Sequence, residues 1–438
     1  MEILIRASQF ILSLSLLIVL HELGHFIPAR LFGTRVEKFY LFFDYKYSLF
    51  KKKIGDTVYG IGWIPLGGYV KIAGMIDESM DTEQMKGEPQ PWEFRSKPAW
   101  QRLIIMLGGV IVNFILGLLI YVMILFVWGK DYVPANEIKN GFTVSEIMKP
   151  LGFQDGDKIL KIDGKMPLNV LDVNKLLFLR DVKTIEVEHK NGKVETINIP
   201  EGFGKTMWTT GQMEPISPLV PAVIDSVFTD YPGYKAGIKK NDKILQVNNT
   251  KINSWGDFTK TVSKDTLSKS LAILVARNGQ EKEITVTPTE DHKIGVSPVI
   301  NFPIQHKDYT FGESVSGGTE LAYHTLHDYV AQFQYVFTKK GATSLGGFIS
   351  IGKIFPASWD WMRFWEITAF LSIMLGFMNL LPIPALDGGH VVFTLFEMIT
   401  GRKPNEKFLE YAQITGFIIL VALLLYANGN DIYKLIFK

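Results

Sequence analysis

Residues His21-Glu22-Leu23-Gly24-His25 stand inside an apolar stretch that runs from about Ala7 to Ala29. A stretch of that length and composition suits a helix at bilayer depth, where ionisable side chains are costly and rare unless they serve a function. In a helix, positions i and i+4 share a face. His21 and His25 therefore present two imidazoles one turn apart, which can fill two corners of a tetrahedral zinc site. Glu22 points toward the same edge, where it can take a proton from water. The first expectation is a zinc hydrolase site within the membrane.

The hydrophobic fraction of the 438-residue chain is 47%, but these residues gather in four blocks, at about 7–29, 103–127, 366–386 and 411–426. Each is long enough, or nearly so, to cross a hydrocarbon core of about 30 Å as a helix. The expected fold class is a polytopic α-helical membrane protein with about four transmembrane helices. The net charge of +2 points to no partner, and the one basic run, Lys51-Lys52-Lys53, fits a membrane-proximal loop better than a nucleic-acid surface. There is no cysteine, so a metal must be held by His, Asp or Glu. Met1–Leu20 has Arg6 as its sole positive residue and no small-residue cleavage site, and reads as a retained first span. Arg30, Arg35, Lys38, Lys46 and Lys51–Lys53 follow the first span, and Arg402, Lys403 and Lys407 follow the third. This bias predicts that both loops are cytoplasmic, with the termini and the region at about 129–364 on the far side.

Residues Thr57–Ile72 mix β-branched and aromatic residues with Gly and Pro and read as a hairpin or small sheet that can dip into the bilayer. Pro91–Met106, with Trp92, Phe94, Arg95, Trp100 and Arg102, has the character of an interfacial segment. The second span, Leu103–Val127, carries Gly109 and, four residues on, Asn113. Gly109 allows close approach of a helix, and Asn113 needs a partner, either another helix or substrate near the metal. Further on, Gly152–Gly164 matches Gly237–Asn249 at a period of 85 residues, the size of a small domain. Alternating strands follow each copy, as at Lys183–His189 and Leu271–Val275. The two copies resemble tandem PDZ domains, the second more closely than the first. A helical stretch at about 318–339 carries His324 and His327, which read as surface or packing residues.

A catalytic zinc takes three protein ligands and keeps one open position. The third span ends in Asn379-Leu380-Leu381-Pro382-Ile383-Pro384-Ala385-Leu386-Asp387-Gly388-Gly389-His390. Two prolines break the helix ahead of Asp387, and two glycines let the backbone turn after it. Asp387 is the favoured third ligand, with His390 as its competitor.

Together, His21-Glu22-x-x-His25, Gly109-x-x-x-Asn113, Asn379-x-x-Pro382-x-Pro384-x-Leu386-Asp387-Gly388 and the paired PDZ-like copies resemble the site-2 protease family of intramembrane zinc metalloproteases, in its RseP-like branch. The likeness spans nearly the whole chain. It differs at Gly108-Gly109-Val110, where many members have a Gly-Pro pair, and in the degenerate first PDZ copy. The resemblance implies one zinc on His21, His25 and Asp387, with Glu22 as the catalytic glutamate. It implies that Asn379 helps hold substrate and that Gly60–Ile72 is a membrane-associated β element near the active site; Asn113 and the glycines Gly60, Gly62 and Gly67 are further candidate substrate contacts.

The function so implied is hydrolysis of peptide bonds in or near the spans of single-span membrane proteins already trimmed by another protease, such as anti-sigma factor release or removal of signal-peptide remnants. The implied location is the bacterial inner membrane. Partners would be these substrates and the lipid bilayer, with no nucleic acid. The expected organisation runs as a first transmembrane helix (1–35), the β element and interfacial segment (36–102), a second helix (103–128), two extracytoplasmic PDZ-like domains (129–212 and 213–300), a helical linker (301–364), a third helix (365–390), a cytoplasmic loop (391–409) and a fourth helix with tail (410–438). Two alternatives differ in kind. A membrane zinc peptidase of another architecture would take its third ligand from a Glu on a later helix, and a non-catalytic PDZ scaffold would need neither Glu22 nor metal.

Overall fold

The computed structural model describes residues 1–75, 87–264, 270–300 and 302–437, so part of the segment expected at 36–102 lies outside the described residues. The chain divides into two compact units, Met1–Gly129 with Asp308–Lys438, and Lys130–Lys307.

The first unit is helical. Among the described residues, three helices are long and apolar enough to span a bilayer: α1 (Glu2–Leu31), α2 (Ala99–Trp128) and a C-terminal helix that crosses over Lys407–Phe437. Between α2 and that last helix stand α3 (Phe311–Val336), α4 (Trp361–Leu380) and α5 (Asp387–Thr400), and the last helix, α6, occupies Glu406–Phe437. Two expectations need correction. The third span ends ten residues early, at Leu380, and α4 begins among charges, with Arg363 donating to Glu366 at 2.7 Å. The expected loop at 391–409 begins as helix, because Asp387 opens α5 instead of closing the third span. Gly388 and Gly389 do not turn the chain away. A Cβ at Gly388 would lie 2.2 Å from the Leu381 carbonyl oxygen and one at Gly389 2.7 Å from that of Ile383, so their bareness lets α5 start against the preceding bend.

Helix α2 is the centre of this unit and packs against α1, α3, α4 and α5. Its buried positions Met106, Gly109, Val110, Asn113, Gly117 and Ile120 recur at three- and four-residue spacing, the signature of one helix face. The crossing with α1 is tight enough that a Cβ on Gly108 would stand 1.9 Å from the Gly24 carbonyl oxygen, and one on Gly24 would stand 2.4 Å from that of Gly108. Small residues permit such approach where apolar packing alone does not drive helices together. Polar side chains add to it. Ser13 of α1 pairs with Thr368 of α4 at 2.9 Å, and the Ser372 hydroxyl of α4 donates to the Asn113 carbonyl of α2 at 2.7 Å.

Between α1 and α2 lies a four-stranded sheet: β1 (Val36–Phe43), β2 (Phe50–Ile54), β3 (Thr57–Ile61) and β4 (Ile64–Ile72), in the order β2-β3-β1-β4. Of the two readings of Thr57–Ile72, the small sheet holds and the hairpin does not. β3 pairs parallel with β1, β4 pairs antiparallel with its other side, and β3 and β4 do not pair. The connection is carried across β1 by its own backbone bonds, Gly62 N–H to Leu41 O at 2.8 Å and Trp63 N–H to Phe43 O at 3.2 Å. This leaves β4 as a sheet edge.

The second unit holds two β domains, each with its own apolar core. One is built around Phe142, Met148, Ile185 and Val187, the other around Ile224, Val247, Ile273 and Val275. The strand Lys158–Ile162 of the first and Lys243–Val247 of the second fall at the same offset in the 85-residue repeat, and each pairs antiparallel with the strand that follows it in its sheet, Thr184–Glu188 or Leu271–Arg277. Both lead into a left-handed turn, with φ of 48° at Asp163 and 50° at Asn248. In each turn the side-chain oxygen accepts from the next strand, from Thr184 N–H at 2.9 Å and from Ala272 N–H at 2.9 Å.

Candidate metal centre

The middle of α1 faces α2 and the start of α5, and three side chains meet there. His21 Nε2 and His25 Nε2 are 3.2 Å apart, and Asp387 Oδ2 lies 3.4 Å from the first and 3.3 Å from the second. Among the described residues this is the group of His, Asp and Glu side chains whose ligand atoms converge, all within 4.8 Å of one another. The spacing suits zinc. Tetrahedral ligands at about 2.0–2.1 Å from the ion stand about 3.3 Å from each other. The donor set suits it as well, since two imidazole nitrogens and a carboxylate point lone pairs at a common place. Asp387 Oδ2 is buried and has no hydrogen-bond donor. A buried carboxylate oxygen in that state calls for a cation.

The imidazoles are aimed by their other nitrogens. His25 Nδ1 stands 2.8 Å from the carbonyl oxygen of Ile105. A carbonyl only accepts, so Nδ1 carries the proton and Nε2 keeps its lone pair, the arrangement that suits a metal-binding histidine. His21 Nδ1 lies 3.2 Å from the side-chain amide of Asn113, which is fully buried. Gly109 lies between these two contacts on α2. A Cβ there would stand 2.3 Å from His25 Nε2 and 2.6 Å from His21 Cε1, so the rings occupy the space that a side chain would fill.

Glu22 is buried beside the ligands and lines a cavity of about 50 Å³ with His21, His25, Tyr69, Val70 and Asp387. That volume holds one or two waters. Tyr69 and Val70 belong to β4, so the sheet edge borders the cavity. Ala385, also on the cavity wall, has φ of 79°, a conformation that costs a residue with a Cβ about 1–2 kcal/mol. It ends the bend that delivers Asp387.

The structure thus brings together His21, Glu22, His25 and Asp387, with Asn379 at the end of α4, its amide nitrogen 3.3 Å from His21 Nε2. His390 lines the cavity but stands outside the ligand group and contacts Gln413 at 3.2 Å. Of the glycines expected at the substrate, Gly67 alone lies on β4. Gly60 is in the inner strand β3, where a Cβ would strike the Tyr40 ring at 2.3 Å, and Gly62 is in the crossing, where one would meet the Phe43 carbonyl oxygen at 2.2 Å. His324 stands 3.6 Å from Glu320 and His327 3.5 Å from Asp328, both on α3. Sequence reasoning missed the Ile105 carbonyl, and Tyr69 and Val70 fall within the β element expected near the site without having been singled out. Main-chain partners and sheet edges leave no residue-type signal.

A profile of peptidase family M50 matches residues 9–423. Over 468 residues the chain is 29% identical to the "Regulator of sigma E protease" of Haemophilus influenzae, covering 99% of this chain and 100% of that one. Over 459 residues it is 28% identical to the "Regulator of sigma-E protease RseP" of Escherichia coli, covering 98% of each.

Proposed function

The chain belongs to peptidase family M50 and is a membrane zinc metalloprotease, and from that premise we propose that it cuts single-span membrane proteins within or next to their spans, as the second cut after another protease. The observation that carries this reading is the convergence of His21, His25 and Asp387 beside a buried Glu22 within apolar helices. We assign His21, His25 and Asp387 as the ligands of one zinc per chain. Zinc, when bound there, supplies Lewis acidity toward a peptide carbonyl and toward water.

The chain's own residues do the rest. Glu22 takes the proton of the attacking water and passes it to the leaving amine, so one carboxylate serves as base and then as acid. A substrate helix has its carbonyls tied in i to i+4 bonds and must unwind before attack. In this reading the outer edge of β4, which borders the cavity at Tyr69 and Val70, receives the unwound strand by β-addition, with Gly67 further along the same edge. On the same reading Asn379, whose amide stands 3.3 Å from His21 Nε2, holds a freed backbone group.

The chain is, in this reading, a bacterial inner-membrane protein with α4 as a fourth span and residues 129–300 as two PDZ-like domains, and the charge bias around the spans supports an extracytoplasmic side for those domains. Their role in this reading is to sort substrates, admitting those already trimmed. The test is co-expression with candidate single-span proteins, intact and trimmed, comparing the chain with its Glu22→Gln form. Cleavage that needs Glu22 supports the proposal, and cleavage that persists without it points to a contaminating protease and removes this one.

A further inference from the structure

Asn113 is buried completely, in the middle of a membrane helix, and its side chain meets His21 Nδ1 at 3.2 Å. Such an amide is expensive unless it has a task. Its backbone carbonyl is already taken by the Ser372 hydroxyl, which fixes this turn of α2 against α4. Two arrangements of the side chain fit the position, related by a half-turn of the amide. With the NH₂ toward the ring, Nδ1 accepts and the ring proton sits on Nε2, facing Asp387, where it blocks that nitrogen as a ligand. This arrangement also leaves Asn113 Oδ1 buried without a donor. With the oxygen toward the ring, Nδ1–H donates to Oδ1 and Nε2 presents its lone pair to the metal position.

We infer that Asn113 is a positioning residue that accepts the Nδ1 proton of His21 and so holds that histidine in its ligating tautomer. Helix α2 then serves both imidazoles, through the Ile105 carbonyl for His25 and the Asn113 amide oxygen for His21, with bare Gly109 making room between them. The burial of Asn113 sets this role apart from a substrate contact. The inference rests on the zinc protease reading and adds the source of the His21 tautomer.

The test is the zinc affinity of the purified full-length chain, read by competition with a chelator, for wild type, Asn113→Leu and Asn113→Asp. All three side chains have nearly the same shape, and only Leu lacks an acceptor. Asn113→Leu should hold zinc about 10–100-fold more weakly, the usual cost of losing an outer partner. Asn113→Asp should hold it at least as tightly as wild type, because a carboxylate raises the basicity of the ring it accepts from. Equal affinity in Asn113→Leu and wild type overturns the inference. So does an Asn113→Asp chain as weak as Asn113→Leu, which would mean that packing alone matters. Should Asn113→Leu fail to fold, Asn113→Asp carries the test alone: tenfold weaker binding overturns the inference, and undiminished binding supports it. A wild-type chain that takes up no zinc is a different outcome and removes the protease reading itself.

Discussion

Two aspartates, one in each unit, show opposite uses of the same side chain. Asp242 in the second β domain is fully buried and saturated. It accepts from Lys239 N–H at 2.8 Å and from the Arg277 guanidinium at 2.7 Å through both oxygens. Asp387 in the membrane unit has a buried oxygen with no donor, facing two imidazole nitrogens. The saturated carboxylate closes a turn and holds a strand. The unsaturated one has been placed by prolines, a left-handed alanine and two bare glycines, with its oxygen turned to the two imidazoles. A carboxylate oxygen left without a donor and facing two imidazole nitrogens suits a bound cation.

The sharpest way to break this contrast is to neutralise each carboxylate without changing its shape. Asp387→Asn should abolish zinc retention and cleavage while leaving the metal-free protein no less stable. Asp242→Asn should leave zinc content and cleavage chemistry alone and cost about 1.5–3 kcal/mol of local stability, because the Arg277 guanidinium loses its charged partner. Elemental analysis and hydrogen exchange at Lys243–Val247 read the two effects. A metal-free Asp387→Asn chain that unfolds as readily as Asp242→Asn would show that both carboxylates are structural.

Glu22→Gln comes next. Glu22 shares the cavity but is not in the ligand group. It should keep zinc and lose about 10²–10⁴-fold in turnover, the range for a positioned acid–base group. Loss of zinc together with activity would move Glu22 to the ligand side of the site. A smaller effect is expected at Gly109→Ala, which leaves Asp387 untouched and presses on its partners. The added Cβ would stand 2.3 Å from His25 Nε2. Overpacking of this kind costs about 1–3 kcal/mol, and the displaced rings should lower zinc occupancy. Unchanged occupancy would show that α1 and α2 can part without disturbing the ligands.

Much of the site was legible because its signals are local. His21 and His25 lie on one helical turn, and the bend at Pro382–Asp387 announces itself by composition. The 85-residue repeat was legible for the same reason, and its strands Lys158–Ile162 and Lys243–Val247 keep the offset. What was lost is non-local. Nothing in Thr57–Ile72 says that β1 inserts between its two strands, since that pairing depends on backbone groups of Leu41 and Phe43. Gly388-Gly389 was read as a turn because glycine permits one. The neighbouring carbonyls of Leu381 and Ile383, which make the glycines a packing requirement, are known only once the bend has folded. Asn113 was seen as a polar residue needing a partner, and the choice between a helix and a substrate needed the distance to His21.

The last contrast lies inside the second unit, where the repeat holds the same aspartate in two ways. Asp157 of the first copy accepts from Gln154 N–H at 2.8 Å, as Asp242 does from Lys239 N–H at 2.8 Å. Strand register then puts His189 and Arg277 at the same place, one residue beyond the partners of Lys158 and Lys243. His189 meets Asp157 through one nitrogen at 2.7 Å, whereas Arg277 binds Asp242 through two and also donates to the Gly237 carbonyl at 2.7 Å. A two-pronged guanidinium contact is stronger and more directional than one imidazole bond. Removing the partner should therefore cost the copies unequally, about 1.5–3 kcal/mol for His189→Leu, the range for one hydrogen bond to a charged group, and more for Arg277→Leu. Hydrogen exchange at Lys158–Ile162 and Lys243–Val247 in the intact chain measures both losses under one set of conditions. Equal losses would mean that the bond from the carboxylate to the turn backbone, common to both copies, holds each strand, and that the cation beside it adds nothing the fold uses.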